Sequence, residues 1–262
     1  MEDGAGQIFF ANVTKVALTS PAGASIAAGT LLFPCAGAFD VTAFDVIRGR
    51  VYWTTQNDLC TRTADANATQ RPPTVAVHAD TGAFLTAFAA DGTWLTYAER
   101  LADGTTEVRA RPPSSLRTVV LASTGSIVRH VALSGSAAYW VDGLAVRASP
   151  LAFTPTFADG PIVTAGPTMN IGVATSDPTS LHIGPLGAFV STLRGLEHMT
   201  LGSSRMIVSG AIDAFALDGI NVYWTSTPRG VVARTSLFTG VTTILATAVR
   251  PGGVAVDAQS VF

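Results

Sequence analysis

The tetrapeptide Val51-Tyr52-Trp53-Thr54 returns as Val222-Tyr223-Trp224-Thr225, with Ala138-Tyr139-Trp140-Val141 between them. The tyrosines stand 87 and 84 residues apart, each close to two periods of 42. Self-similarity at such a period marks a repeat architecture, in which each unit buries its apolar face only by stacking on its neighbours. With these pairs as a ruler, weaker copies are expected at Trp94-Leu95-Thr96, behind Asp91-Gly92, and at Ser180-Leu181-His182-Ile183. The expected anchors are then Phe9, Tyr52, Leu95, Tyr139, His182, Tyr223 and Phe262, spaced 39 to 44 residues apart over six periods.

One period reads as four strands. Near the carboxyl end, a strand over 212–217 leads into Asp218-Gly219, a hairpin signal because both residues tolerate φ > 0. Strands over 222–225, 231–236 and 242–246 follow, the third alternating apolar and polar residues. Four short antiparallel strands every 40-odd residues describe a β-propeller blade, whereas helical repeats would need amphipathic windows that this chain lacks. The fold expected is all-β: a six-bladed β-propeller of four-stranded antiparallel blades, one domain over 1–262. Residues 1–12 supply a second strand without a first, and 253–257 a first strand without a blade. Pairing the two would close the ring and leave no edge. The overhang Ser260–Phe262 repeats the strand of Gln7–Phe9, which points to a segment of a longer product.

Composition narrows the function classes. Apolar residues make up 48% of the chain and charged residues 13%, about half the usual share, with 25 Gly and 14 Pro. Net charge is −2, so no basic footprint argues for nucleic acid or an anionic membrane. Val16–Phe39 carries no charge, but Pro21, Gly23, Gly29, Pro34 and Gly37 interrupt it as they would not a membrane-spanning helix. Met1-Glu2-Asp3-Gly4 places acid where a signal peptide needs base, so either the chain is cytoplasmic or a leader has been removed.

The Tyr-Trp-Thr core at this spacing, with Gly253-Val254-Ala255-Val256-Asp257, resembles the YWTD repeat of six-bladed propellers, the low-density-lipoprotein receptor class and its bacterial exported members. Thr55 and Ser226 stand where that family has Asp, and Val141-Asp142 keeps it. The resemblance implies the propeller fold and an extracytoplasmic location, and leaves the activity open because the fold serves many roles.

Cys35 and Cys60 fall in adjacent blades, at connections expected on one face, so a disulfide is geometrically allowed; two thiols in a reducing compartment is the alternative. The resemblance to exported propellers favours the bond. Asp80-Thr81-Gly82 looks like an aspartic-protease triplet, but that chemistry needs a second carboxylate site, and a turn between blades is expected instead. His78, His130, His182 and His198 show no metal-ligand spacing, with His182 expected as a blade-core residue. Trp53, Trp94, Trp140 and Trp224 are all expected in second strands, packed between blades.

The remaining polar loop groups, Asn57, Asp58, Arg62, Glu99, Arg100, Thr227, Arg229 and Arg250, are candidate ligand-face residues on the blade-connection side. The function expected is a non-enzymatic binding module that engages protein or glycan, with no catalytic residue, cofactor or metal assigned and no nucleic-acid partner or membrane span. The alternative is a metal-dependent, lactonase-like hydrolase or lyase with its site at the central channel. That reading needs three or four converging Asp, Glu, Asn or His side chains; the chain has only four Glu, and most Asp fall in turns.

Overall fold

The computed structural model describes residues 8–12, 15–19, 43–47, 50–63, 74–113, 115, 117–154, 162–256 and 261. All regular structure among them is β, in sheets whose strands follow chain order. The chain divides into two compact units, 1–138 with 151–166 and 139–150 with 167–262.

In the first unit, Ile8–Asn12 and Lys15–Thr19 form a two-stranded ribbon. Ala43–Ile47, Arg50–Thr54, Asp58–Thr63 and Thr74–His78 form a four-stranded antiparallel meander, and Phe84–Ala90, Leu95–Arg100, Thr106–Arg111 and Val119–Thr124 form the next. Their shared core joins Tyr52, Leu59 and Val77 of one sheet to Leu85, Leu95 and Tyr97 of the other. In the second unit, Pro178–Gly184, Gly187–Thr192, Gly195–Thr200 and Ser203–Ser209 form one meander, and Ala214–Leu217, Asn221–Ser226, Val231–Ser236 and Thr242–Thr247 another. Phe189, Leu196 and Val208 of the former pack with Phe215, Val222 and Trp224 of the latter.

The remaining sheet orders Val131–Ser134, Ala137–Asp142 and Ala145–Thr154. The last of these, at ten residues, pairs with Ala137–Asp142 and with two further strands. Ala145–Ala148 pair with Met169–Val173, and Leu151–Thr154 with Ile162–Ala165. Neither ladder includes Ser149 or Pro150, and proline has no N–H to donate to one.

Two expected anchors are corrected, the second of them by this extra hairpin. The third residue of each second strand is Tyr52, Tyr97, Tyr139, Phe189 and Tyr223. Leu95 begins its strand two residues before the aromatic slot, and His182 lies in a first strand, Pro178–Gly184, directly across from Phe189. The inserted hairpin stretches the step from Tyr139 to Phe189 to 50 residues and leaves 34 to Tyr223, so an even ruler lands on the wrong strand. Trp94 likewise precedes Leu95–Arg100 and sits, buried, in the turn. Trp53, Trp140 and Trp224 do lie in second strands and are buried.

The second strands explain why the motif is visible at all. Leu95–Arg100, Gly187–Thr192 and Asn221–Ser226 are each buried at five consecutive positions. Successive strand residues point to opposite faces, so adjacent Tyr and Trp can both be buried only where both faces are covered.

The sheets are not closed into a ring in the way expected. Ile8–Asn12 pairs with Lys15–Thr19, and the last bridge of the chain joins Val256 to Val261, so among the described residues the pairing of 253–257 with 7–12 is not formed. A bridge spanning five residues closes a far shorter loop than one spanning the chain, at less entropic cost.

Two Asp-Gly hairpins are built as expected. Asp91 Oδ1 accepts from the Thr93 and Trp94 amides at 2.8 and 2.7 Å, and Gly92 has φ of 85°. Asp218 Oδ1 accepts from the Ile220 and Asn221 amides, while Oδ2 accepts from Asn221 Nδ2 and the Tyr223 hydroxyl. Burial works to raise the Asp218 pKa, but these donors outweigh it and hold the carboxyl below its ordinary value. A carboxyl depressed on folding stabilises the fold above its unfolded pKa, about 3.9, and that contribution is lost as pH falls through the lower folded value. Asp218→Asn is therefore expected to flatten the acid decline of melting temperature below about pH 4. Thermal melts across the acid range check this; an unchanged decline would exclude Asp218 as a contributor.

Candidate functional site

Among the described residues, the densest charged arrangement lies in the first unit. Asp80-Thr81-Gly82 forms the turn expected between sheets, with the Ala83 amide donating to the Asp80 carbonyl at 2.8 Å and Gly82 at φ of 80°. The Asp80 amide donates to Glu99 Oε1 at 2.8 Å. Glu99 lies directly across from Glu107, a like-charge pair that would be destabilising by itself. Arg109 resolves it. Its Nη1 sits 2.8 Å from Glu99 Oε2, its Nη2 and Nε each 2.8 Å from Glu107 Oε2, and Nη2 lies 3.8 Å from Asp80 Oδ2. Burial disfavours the guanidinium charge, but Glu107, Glu99 and Tyr97 outweigh it and hold the proton more tightly than usual. Burial also raises the Tyr97 pKa, against the opposing pull of Arg109.

Beside this hub, Asp58 is buried and its Oδ1 lies 2.7 Å from His78 Nδ1, with the imidazole 71% exposed. The Asp58 amide donates to Thr55 Oγ1 at 3.1 Å, so at this motif position threonine holds the loop between second and third strands. Asn57 is exposed, and its carbonyl accepts from the Ala79 amide. Arg62 lies in Asp58–Thr63 opposite Val51. Arg100 Nη1 donates to the Gly125 carbonyl at 2.9 Å and to Thr106 Oγ1 at 3.0 Å. Glu99, 1% exposed, faces inward and is occupied by the chain's own donors. Cys60 is fully buried and disulfide-bonded, and no cysteine among the described residues is free; Cys35 lies outside them.

In the second unit, the Thr227 amide donates to Asp213 Oδ2 and its hydroxyl to the Pro251 carbonyl. Thr225 Oγ1 reaches the Gly252 carbonyl at 2.7 Å, and Ser226, at the motif's Asp position, donates to the Ala211 carbonyl at 2.8 Å. Arg229 is exposed, donates to the Ser209 carbonyl and lies 5.5 Å from the Trp224 ring centroid. Arg250 is exposed. Glu197 is buried and accepts from the Thr175 amide and hydroxyl, the latter at 2.6 Å.

A common device emerges. Glu99, Glu197 and Asp213 each accept a backbone amide from a loop, at Asp80, Thr175 and Thr227 respectively. A carboxylate on a backbone amide makes a charge-assisted bond about twice as strong as a neutral one. Sequence reasoning passed over Glu107, Arg109, Glu197 and Asp213. For the first two a signal existed: Glu99 and Glu107 are symmetric about the Asp103-Gly104 turn. Among the described residues, no group of three or more His, Cys, Asp or Glu is placed to hold a metal ion, and no helix is long and apolar enough to cross a membrane.

No protein-family model matches the sequence, and no curated protein matches it. Solved structures do. A chain from a nidogen/laminin complex is similar at 16% identity, over 94% of this chain and 96% of that one, with a TM-score of 0.60. Streptogramin B lyase is similar at 13% identity, over 97% and 84%, with a TM-score of 0.61. An oligogalacturonate lyase from Vibrio parahaemolyticus is similar at 11% identity, over 94% and 76%, with a TM-score of 0.63. The fold is that of a β-propeller. Identities this low speak for the fold alone, and propellers serve both as binding modules and as enzymes.

Proposed function

We propose that this chain is a non-enzymatic binding module, a single six-bladed YWTD-type propeller over 1–262 that works outside the cytoplasm and engages protein or glycan through its inter-strand loops. One observation carries the binding reading. The buried carboxylates Asp58, Glu99 and Glu197 are each held by the chain's own donors, while Asn57, Thr227, Arg229 and Arg250 face solvent from the loops. Acids committed to holding loops leave few groups for chemistry and give a rigid frame on which exposed loop residues can vary. The disulfide at Cys60 supports an oxidising compartment, and we take Cys35 as its partner.

The test is a glycan array and a panel of purified extracellular proteins, with hits quantified by interferometry. A ligand lost roughly tenfold by Asn57→Ala or by Arg229→Gln, with melting unchanged, is expected. Absence of any specific ligand would count against the module.

A metal-dependent hydrolase or lyase is the second reading, favoured by the exposed imidazole of His78, which buried Asp58 orients through Nδ1 at 2.7 Å. Turnover of lactone or uronide substrates with added divalent cations, abolished by His78→Ala, would establish it in place of the first.

A further inference from the structure

The outermost strand of the last sheet, Thr242–Thr247, is exposed at all six positions. It ends the strand order, so among the described residues one of its edges has no strand beside it in the sheet. Phe238 is 70% exposed, Val241 63%, Ile244 60% and Val249 91%. From Thr235 to Val249 the chain carries no charged residue. Native edges are usually blunted by charge, proline or a covering element. The outer strand Ser203–Ser209 carries Arg205, and Thr74–His78 ends on an exposed histidine, but Thr242–Thr247 has no such guard.

The charge next to this edge is of one sign. Arg250 is exposed three residues beyond the strand. The two acids of the same sheet region are already engaged, Asp213 by the Thr227 amide and Asp218 by its own hairpin. Ile244 and Leu245 are successive strand residues and stand on opposite faces, so an occupant must offer apolar side chains to both. A row of open backbone groups fits another backbone far better than a sugar.

We propose that Thr242–Thr247 is a strand-addition site for an extended, β-branched peptide segment that pairs antiparallel and carries its carboxylates at the amino-terminal end, where they meet Arg250. This surface shares Arg250 with the loops invoked for binding above but adds the strand edge itself, so Ile244→Lys tests the edge alone and Asn57→Ala the loops alone.

The experiment uses the full chain and a fluorescein-labelled peptide, Asp-Asp followed by four Thr-Val repeats, read by fluorescence polarisation beside its Lys-Lys counterpart. Micromolar binding of the acidic peptide is expected, weakened roughly tenfold by Ile244→Lys, a change at an exposed side chain that thermal melting shows to be folded. Arg250→Glu should reverse the preference between the two peptides, and Asn57→Ala should leave both affinities as they were. The proposal is overturned if the folded chain binds neither peptide, or if Ile244→Lys has no effect. It is also overturned if the chain dimerises through this edge, seen as concentration-dependent sedimentation that Ile244→Lys abolishes.

Discussion

Replacing Glu99 by alanine is expected to destabilise the protein by about 3 kcal/mol, the lower end of what removing one partner of a buried ion pair costs. The lower end applies because Arg109 keeps Glu107 at 2.8 Å and is itself 21% exposed. What the substitution leaves behind is an Asp80 amide without its acceptor and a guanidinium with one carboxylate fewer. Glu99→Gln separates these effects, since an amide oxygen can still accept from Asp80 while the charge is gone; about 1–2 kcal/mol is expected. Urea denaturation of the three chains decides it. Equal losses for both variants would mean that the charge matters and the turn does not. If the proposal of one domain holds, the parent chain is expected to unfold in one transition; two resolved transitions would divide 1–262 into separate domains.

Cys60→Ser is expected to cost about 3 kcal/mol, from the loop-closure entropy restored to the unfolded chain when a link spanning some 25 residues is lost. Burial sharpens the effect, because Cys60 is fully enclosed and its replacement hydroxyl would need a hydrogen-bond partner there. Thiol counting in denaturant, with and without reductant, is the direct measurement. Two reactive thiols in the unreduced protein would refute the pairing with Cys35. A bond that forms without the expected gain in denaturation midpoint would show native-state strain offsetting the entropy.

Much of the fold was legible because one strand per sheet is covered on both faces. Only there can a Tyr and the Trp after it both be buried, as in Tyr52-Trp53 and Tyr223-Trp224; in Tyr139-Trp140 the Trp is buried and the Tyr half-buried, and all three pairs stand out by eye. Where a small residue or a valine fills the second slot, as in Tyr97-Ala98 and Phe189-Val190, the pair dissolves into ordinary apolar sequence. An even ruler lands on His182 because the hairpin inserted after Pro150 displaces the count by a distance that no local residue signals, and it lands on Leu95 because the step from Tyr52 to Tyr97 is 45 residues. Of the candidate site residues, Asn57, Thr227, Arg229 and Arg250 emerge exposed, whereas Asp58 and Glu99 are turned inward.

The sequence by itself determined the β class and the Asp-Gly turns, since each rests on residues within a few positions of one another, and the recurring Tyr-Trp pairs gave the mean period near 42 but not the uneven steps within it. Only the tertiary structure decided which carboxylate holds which loop. Glu99 reaches the amide of Asp80, Glu197 that of Thr175 and Asp213 that of Thr227. Those partners lie 14 to 22 residues apart in the chain and meet through the register of strands and the turns between sheets. No periodicity encodes such pairings, because what selects them is the cost of leaving a buried amide or carboxylate unpaired.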